Sequence, residues 1–107
     1  MLANGRQQQP LKGTKSEIDF SPVIKLFTPW GGATWLLSEI DPDEPDHAFG
    51  LCDLGMGYPE LGTVSIAELS SISGPFGLKI KRDLHFEAKQ TLSAYMSEAS
   101  RLGRINA

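Results

Sequence analysis

Three turn-forming stretches constrain the fold of this chain more than any other feature of its sequence. They occupy residues 29–32 (PWGG), 41–46 (DPDEPD) and 55–57 (GMG). Glycine tolerates the positive φ angles of tight turns, and proline removes a backbone donor that a central strand or a helix needs. The segments between these turns are short, and short segments bounded by such signals favour strands.

The segments that flank the turns have the composition of β-strands. Residues 23–28, 33–40, 47–54 and 58–64 are rich in β-branched, aromatic and other apolar side chains. Connections this short join neighbouring antiparallel strands, whereas parallel strands need a long crossover. The sequence therefore predicts an antiparallel meander, with a possible fifth short strand at residues 83–87 and an irregular segment at 76–82.

Two helices are predicted after the meander. Ser65 and Glu68 have the spacing of a capping box, which predicts a short helix that ends before Gly74. A second, amphipathic helix is predicted near the C-terminus and ends at Gly103. Its apolar face repeats with helical spacing and consists of Leu92, Tyr95, Met96, Ala99 and Leu102. The predicted fold class is α+β, with a four- or five-stranded, mainly antiparallel meander sheet, a short capped helix and this C-terminal helix.

The length of 107 residues fits a single domain. Residues 1–17 are predicted to form a flexible N-terminal arm, and residues 18–107 a single α+β domain. The pair Asn4-Gly5 resembles the C-cap of a helix. We expect a cytoplasmic protein that contacts no membrane, because no apolar run has the length of a membrane span or the pattern of a secretory signal. The single cysteine, Cys52, agrees with that compartment.

Charge is distributed unevenly along the chain. No lysine or arginine occurs between Lys25 and Lys79, and that stretch holds eight acidic residues. Like charges repel phosphate, so the acidic middle argues against nucleic-acid binding there. The C-terminal part is basic, and we expect folding to bring it against the acidic stretch.

The motifs of common catalytic and cofactor sites are missing. His47 and Cys52 are separated by an odd number of positions, which places them on opposite faces of a regular strand, and apolar burial would make the thiol unreactive. Residues 41–46 lack the spacing of a calcium-binding loop. Neither glycine-rich turn is followed by the lysine and hydroxyl residue of a phosphate-binding loop. We therefore expect no catalytic residue, no metal and no cofactor.

The strongest candidates for binding are an aromatic residue in a turn and the acidic residues near it in sequence. Trp30 lies where burial in the core is difficult, and tryptophan is enriched in binding hot spots. Alternatively, Trp30 folds back over its own sheet. The predicted partner-binding residues are Trp30, Asp41, Asp43, Glu44, Asp46, Tyr58 and Glu60.

Several segments resemble a family of small bacterial proteins known as domain of unknown function 2958. They are KLFTP at 25–29, ATWLL at 33–37, IDP at 40–42, FGLCDLG at 49–55 and PELG at 59–62. The resemblance implies a protein carried by plasmids or other mobile elements, and it supplies no catalytic residues.

Two main functions are consistent with these observations, and nucleic-acid binding by the basic C-terminal part is a third, less favoured option. The first is a non-enzymatic module that binds a protein partner, such as an accessory or anti-defence protein that recognises a basic host or plasmid protein. The alternative is a small-molecule or nucleotide-binding enzyme with a cleft between sheet and helices, formed by Asp53, Arg82 and His85. The oligomeric state is left open.

Overall fold

The computed structural model describes residues 1–107 and contains one open sheet with helices on both sides. The strands are β1 (Ile24–Phe27), β2 (Thr34–Ile40), β3 (His47–Asp53), β4 (Glu60–Ser65) and β5 (Lys81–Arg82). The helices are α1 (Leu2–Gln8), α2 (Ile66–Ser71) and α3 (Leu92–Leu102), and short 3-10 turns occupy Gln9–Leu11 and Pro75–Gly77.

The sheet has five strands in the order β4-β3-β2-β1-β5, and every neighbouring pair is antiparallel. The α+β class and the antiparallel meander are thus confirmed. The fifth strand, however, is Lys81–Arg82 and not residues 83–87. Asp83 ends it, because its carboxylate accepts a hydrogen bond from the amide of His85 at 2.9 Å and closes a turn.

The sheet buries a separate apolar cluster on each of its faces. On one face, Leu36 and Leu51 pack against α3. On the other, Trp35, Leu37 and Ala48 pack with Leu69 of α2. This arrangement follows from the strand period of two, which directs neighbouring residues of β2 to opposite faces.

A β-bulge interrupts that alternation at Ser38. The β2–β3 register runs Leu36↔Leu51 and Leu37↔Gly50, then shifts so that Glu39 pairs with Phe49. A bulge places an extra residue in one strand, so the side chains beyond it change faces. Glu39 therefore lies on the face of α3, whereas an unbroken strand would place it beside Trp35 and Leu37.

Helix α1 covers the part of β2 that extends beyond the end of β1. The amide of Ile40 donates to the carbonyl of Met1 at 3.1 Å, and the Asn4 side chain donates to the carbonyl of Ser38 at 2.8 Å. Gly5 makes this approach possible, because a Cβ at that position would lie 1.6 Å from the Ile40 carbonyl oxygen.

The interpretation of residues 1–17 as a flexible arm is thereby corrected over residues 2–11, which are helical and packed on the sheet. Asn4 and Gly5 lie inside α1 and do not cap a helix. The segment has no apolar stripe to reveal it in the sequence, because it contacts the sheet largely through backbone groups and polar side chains.

Both predicted helices after the meander are confirmed. Ser65 caps α2 by accepting a hydrogen bond from the amide of Glu68 at 3.1 Å. In α3, Leu92, Tyr95 and Ala99 are buried, and Gly103 ends the helix with the left-handed φ of 74°. Beyond it, Ile105 returns to the core.

Candidate functional site: an acidic groove beside helix α1

A groove with a mixed lining lies between the start of α3, the segment after α1 and the α3-facing side of β2, β3 and β4. Its volume is about 480 Å³, within the usual size range of ligand sites. Apolar side chains line part of it, namely Ile18, Phe20, Phe49, Leu61 and Leu92. The polar lining includes four carboxylates, Glu17, Asp19, Glu39 and Asp41.

Glu39 is the most deeply buried of these carboxylates, with only 6% of its surface exposed. Its one hydrogen bond within the protein comes from the Gln8 side-chain amide, at the long distance of 3.5 Å. Burial raises the pKa of Glu39, and the Gln8 hydrogen bond and the charge of Lys12 offset only part of that effect. The floor of the groove therefore holds a carboxylate that lacks a close cation.

Gln8 is held firmly in place to contact Glu39. Its side-chain amide donates to the carbonyl of Ile18 at 2.6 Å and accepts from the amide of Ile18 at 2.7 Å. This pair of bonds joins α1 to the segment that leads into β1. Helix α1 and the bulge at Ser38 thus cooperate, since one positions Gln8 and the other turns Glu39 toward the groove.

Asp19 occupies the wall of the groove at the start of α3. Its carboxylate accepts hydrogen bonds from the backbone amide of Ser93, at 3.1 Å, and from the Ser93 hydroxyl. Burial acts to raise the pKa of Asp19, but the two Ser93 hydrogen bonds outweigh it and lower the pKa. Asp19 therefore stays ionised and adds a permanent negative charge near Glu39.

No lysine or arginine of the chain forms an ion pair with the acidic residues of positions 39–68. The ion pairs within 4.0 Å are Lys25 with Asp83 and His47 with Glu44. The basic C-terminal part does pack against the sheet, because α3 contacts β3 and the Ile105 amide donates to Asp53, but none of its lysines or arginines forms an ion pair with the acids of the middle stretch. Lys12 is the one lysine or arginine that lines the groove, where four carboxylates surround it.

The acidic loop at residues 41–46 makes mostly internal contacts. Asp46 accepts from the Ser65 hydroxyl and from the Ala67 amide at 2.8 Å, which lowers the pKa of Asp46 and caps α2. Asp41 accepts from the amide of Asp43 at 2.9 Å. Of the predicted partner-binding residues in this loop, Asp41 alone also lines the groove.

The other acidic residues of the loop also have internal partners. The Asp43 carboxylate accepts from the Gln9 side chain, and Glu44 pairs with His47 at 2.8 Å.

The remaining predicted partner-binding residues lie at the opposite end of the sheet. Trp30, Tyr58 and Glu60 belong to the turns or strand ends near Thr34 and Asp53, whereas the acidic loop follows Ile40. Tyr58 is 81% exposed. Trp30 is half-buried, and its indole ring lies so close to Gly74 that a Cβ there would be 2.3 Å from it. The Trp30 ring thus packs against Gly74, in the segment after α2, and belongs to neither apolar cluster of the sheet.

The residues of the alternative cleft are not brought together. Asp53 is 2% exposed, and its carboxylate accepts from the amides of Gly55 at 2.8 Å and Ile105 at 3.0 Å. These bonds tie the C-terminal tail to β3 and occupy the carboxylate. Arg82 and His85 are exposed at the other side of the sheet, with β2 and β1 between them and Asp53.

The sole thiol does not face the groove. Cys52 packs in the cluster that contains Trp35, while His47 lines the groove on the opposite face. Burial, followed by the charge of Glu60, raises the pKa of the Cys52 thiol. This places Cys52 among the structural residues, in agreement with the odd spacing of the pair.

Sequence reasoning missed Glu39, Gln8 and Asp19. A signal for Glu39 was present, since Ser38-Glu39 is a polar pair inside an otherwise apolar strand. The sheet face on which Glu39 lies depends on the bulge, and neither Gln8 nor Asp19 belongs to a recognisable motif. Their grouping is a product of tertiary structure.

The protein is an α+β domain with an open antiparallel sheet, and its acidic groove lies on the face that α3 covers. The chain belongs to the family described as Protein of unknown function (DUF2958), whose model matches residues 1–106. The matched range includes α1. No curated protein and no solved structure matches the chain. No helix in it has the length and apolarity required to cross a bilayer.

Proposed function

We propose that this protein is a non-enzymatic binding module whose acidic groove receives a lysine or arginine side chain of a basic protein partner. The observation that carries the proposal is Glu39, a nearly buried carboxylate at the groove floor that forms no ion pair within 4.0 Å, although Lys12 lines the same groove. A buried charge is stable when it is paired, so an incoming ammonium or guanidinium group would relieve an unfavourable state of the free protein.

The rest of the groove supports a long cationic side chain. Phe49 and Leu61 provide apolar surface for a methylene stem, and lysine and arginine commonly bury their stems in this way. Asp19 and Asp41 add negative charge around the head group. A planar guanidinium can also bond two carboxylate oxygens at once.

A cytoplasmic location and carriage by plasmids or other mobile elements, with an accessory or anti-defence role, form part of this proposal through the family resemblance. The partner would then be a basic protein of the host or of the element. The contrasting function, a small-molecule or nucleotide-binding enzyme, lacks a convergent set of groups, because Asp53, Arg82 and His85 are far apart in the fold.

The test is a titration of the labelled protein with L-arginine amide, followed by the chemical shifts of its backbone amides. Citrulline amide, whose side chain is similar in shape but uncharged and whose α-amino group is the same, serves as the ligand control. We expect arginine amide to shift the amides around Gln8, Phe49 and Leu92 and citrulline amide to leave them unchanged. The Glu39→Gln variant should bind about tenfold more weakly, because a charged hydrogen bond becomes a neutral one.

Glu87→Gln provides the matched protein control, since Glu87 is exposed and lies outside the groove. It removes the same charge and should leave the affinity unchanged. Equal binding of arginine amide by the parent and the Glu39→Gln variant would refute the proposal, and so would shifts confined to other surfaces.

A further inference from the structure

The two edges of the sheet differ in a way that bears on how a partner docks. The β5 edge is two residues long and consists of Lys81 and Arg82, both exposed. Short, positively charged edges resist pairing with other chains. The β4 edge, Glu60–Ser65, is six residues long and contains neither lysine nor proline. Pro59 and the charged Glu60 stand at its start, and residues 61–65 carry no charge and no proline.

The backbone groups that β4 leaves unpaired can be identified from its register with β3. The amide of Ile66 donates to the carbonyl of Asp46 at 2.8 Å, and this bond continues the β3–β4 ladder by one pair. In antiparallel sheets, hydrogen-bonded and non-bonded pairs alternate. Glu60, Gly62 and Val64 therefore bond to β3, and Leu61 and Thr63 direct their N–H and C=O groups outward.

The open edge lies beside the acidic groove. Thr63, Phe49 and Glu39 form one row across β4, β3 and β2, and Leu61 and Thr63 line the groove itself. A strand added to β4 would lie three strand spacings, or about 14 Å, from the Glu39 backbone. An extended arginine and the glutamate side chain together span that distance across Phe49.

We infer that β4 is the docking edge for an extended basic segment of the partner, which adds to the sheet as a sixth strand and places a lysine or arginine in the groove. This inference rests on the proposed function and specifies the form of the partner. Charge complementarity selects a basic segment, because the surroundings of the edge are acidic (Asp41, Asp46, Glu60 and Glu68) and hold no lysine or arginine between positions 25 and 79.

Thr63→Pro tests the edge, and its binding is compared with that of Thr63→Ala because the Thr63 side chain also lines the groove. Proline removes the outward N–H of Thr63, which has no role in the β3 pairing, and proline is tolerated on edge strands at such positions. Thr63→Ala is the matched control, since it loses the side chain but keeps the N–H. The probes are a short peptide of alternating arginine and valine, the same peptide N-methylated at alternate amides, and L-arginine amide.

The parent should bind the unmodified peptide at least about tenfold more tightly than arginine amide, because the edge adds backbone hydrogen bonds. Thr63→Pro, or N-methylation of the peptide, should remove that advantage, while Thr63→Pro and Thr63→Ala bind arginine amide equally. Thr63→Ala should keep the advantage of the peptide over arginine amide, and Glu39→Gln should weaken both unmodified probes. Measurements belong at mildly alkaline pH, because a carboxyl group with a raised pKa ionises to a greater extent as the pH rises.

The outcomes separate the two proposals. If Thr63→Pro binds the peptide as tightly as the parent does, the edge is not used and the inference falls, while the groove proposal stands. If neither probe binds the parent, both fall. If sedimentation shows that the parent self-associates and that Thr63→Pro is monomeric, the edge takes a second copy of this chain, and the inference is overturned.

Discussion

Glu39 is a carboxylate that folding removes from water without supplying a close cation. Its pKa in the folded protein is raised above the ordinary value of 4.5, so the folded state favours the protonated side chain more than the unfolded chain does. The stability from this preference is fully present below the unfolded-state pKa. It is lost as the pH rises through the folded-state pKa.

Glu39→Gln should therefore stabilise the free protein at neutral pH and have little effect in acid. The neutral amide avoids the desolvated charge and keeps an acceptor for Gln8, so we expect a gain of about 1 kcal/mol in the free energy of unfolding at neutral pH. Urea unfolding at both pH values measures it, with Glu87→Gln as the control. A loss of stability at neutral pH would show that Glu39 serves the fold and not a ligand.

At the scale of elements, α1 belongs to the folded unit because it replaces a missing strand partner of β2. The Gly5→Ala substitution distinguishes an α1 that packs on β2 from an α1 that is a free arm. Alanine favours an isolated helix over glycine by about 0.5–1 kcal/mol, so an unattached α1 would gain helicity. In the packed helix the new methyl group would lie 1.6 Å from the Ile40 carbonyl oxygen.

We therefore expect Gly5→Ala to destabilise the protein by about 1–3 kcal/mol, as overpacking usually does. Gln7→Ala is the control, since Gln7 lies on the exposed side of the same helix and gains propensity without a clash. Thermal unfolding of both variants gives the comparison. A higher melting temperature for Gly5→Ala than for the parent would mean that α1 does not rest on β2.

These elements also show what the sequence could predict. The four meander strands, α2 and α3 were predicted because turn residues, a capping box and helical periodicity act locally. Helix α1 was missed because its partner is a strand edge 30 or more positions away, as the bond from Asn4 to Ser38 illustrates. The groove was missed because the bulge reverses the face of Glu39, which alternation alone assigns to the other side.

The same limit applied to Asp53, which was predicted to line a cleft. Its carboxylate instead accepts hydrogen bonds from the backbone amides of Gly55 and Ile105 at the buried end of β3. A single acidic residue in a sequence carries no indication of whether its partners are a ligand or distant backbone amides. An aspartate carboxylate accepts hydrogen bonds wherever it lies, and the tertiary fold determines which donors reach it.

In the whole molecule, the two apolar clusters share one sheet, so neither face can unfold alone. Leu36 and Leu37 are adjacent in β2, yet they belong to different clusters. Loss of β2 would dismantle both. The molecule should unfold in a single cooperative transition, as small domains usually do.

A substitution that destabilises one cluster should therefore lower the unfolding midpoint of the other by the same amount. Leu92→Ala truncates a side chain of the α3 cluster and should lower the free energy of unfolding by about 2–4 kcal/mol. In a Trp30→Phe background, Trp35 is the remaining tryptophan and reports on the opposite face. Its fluorescence midpoint should fall in Leu92→Ala by the same amount as the midpoint of the far-UV circular dichroism, while the exposed Ser97→Ala leaves both unchanged. If helical signal were lost while Trp35 remained buried, α3 would be a separable layer, and the groove it walls could open without unfolding the sheet.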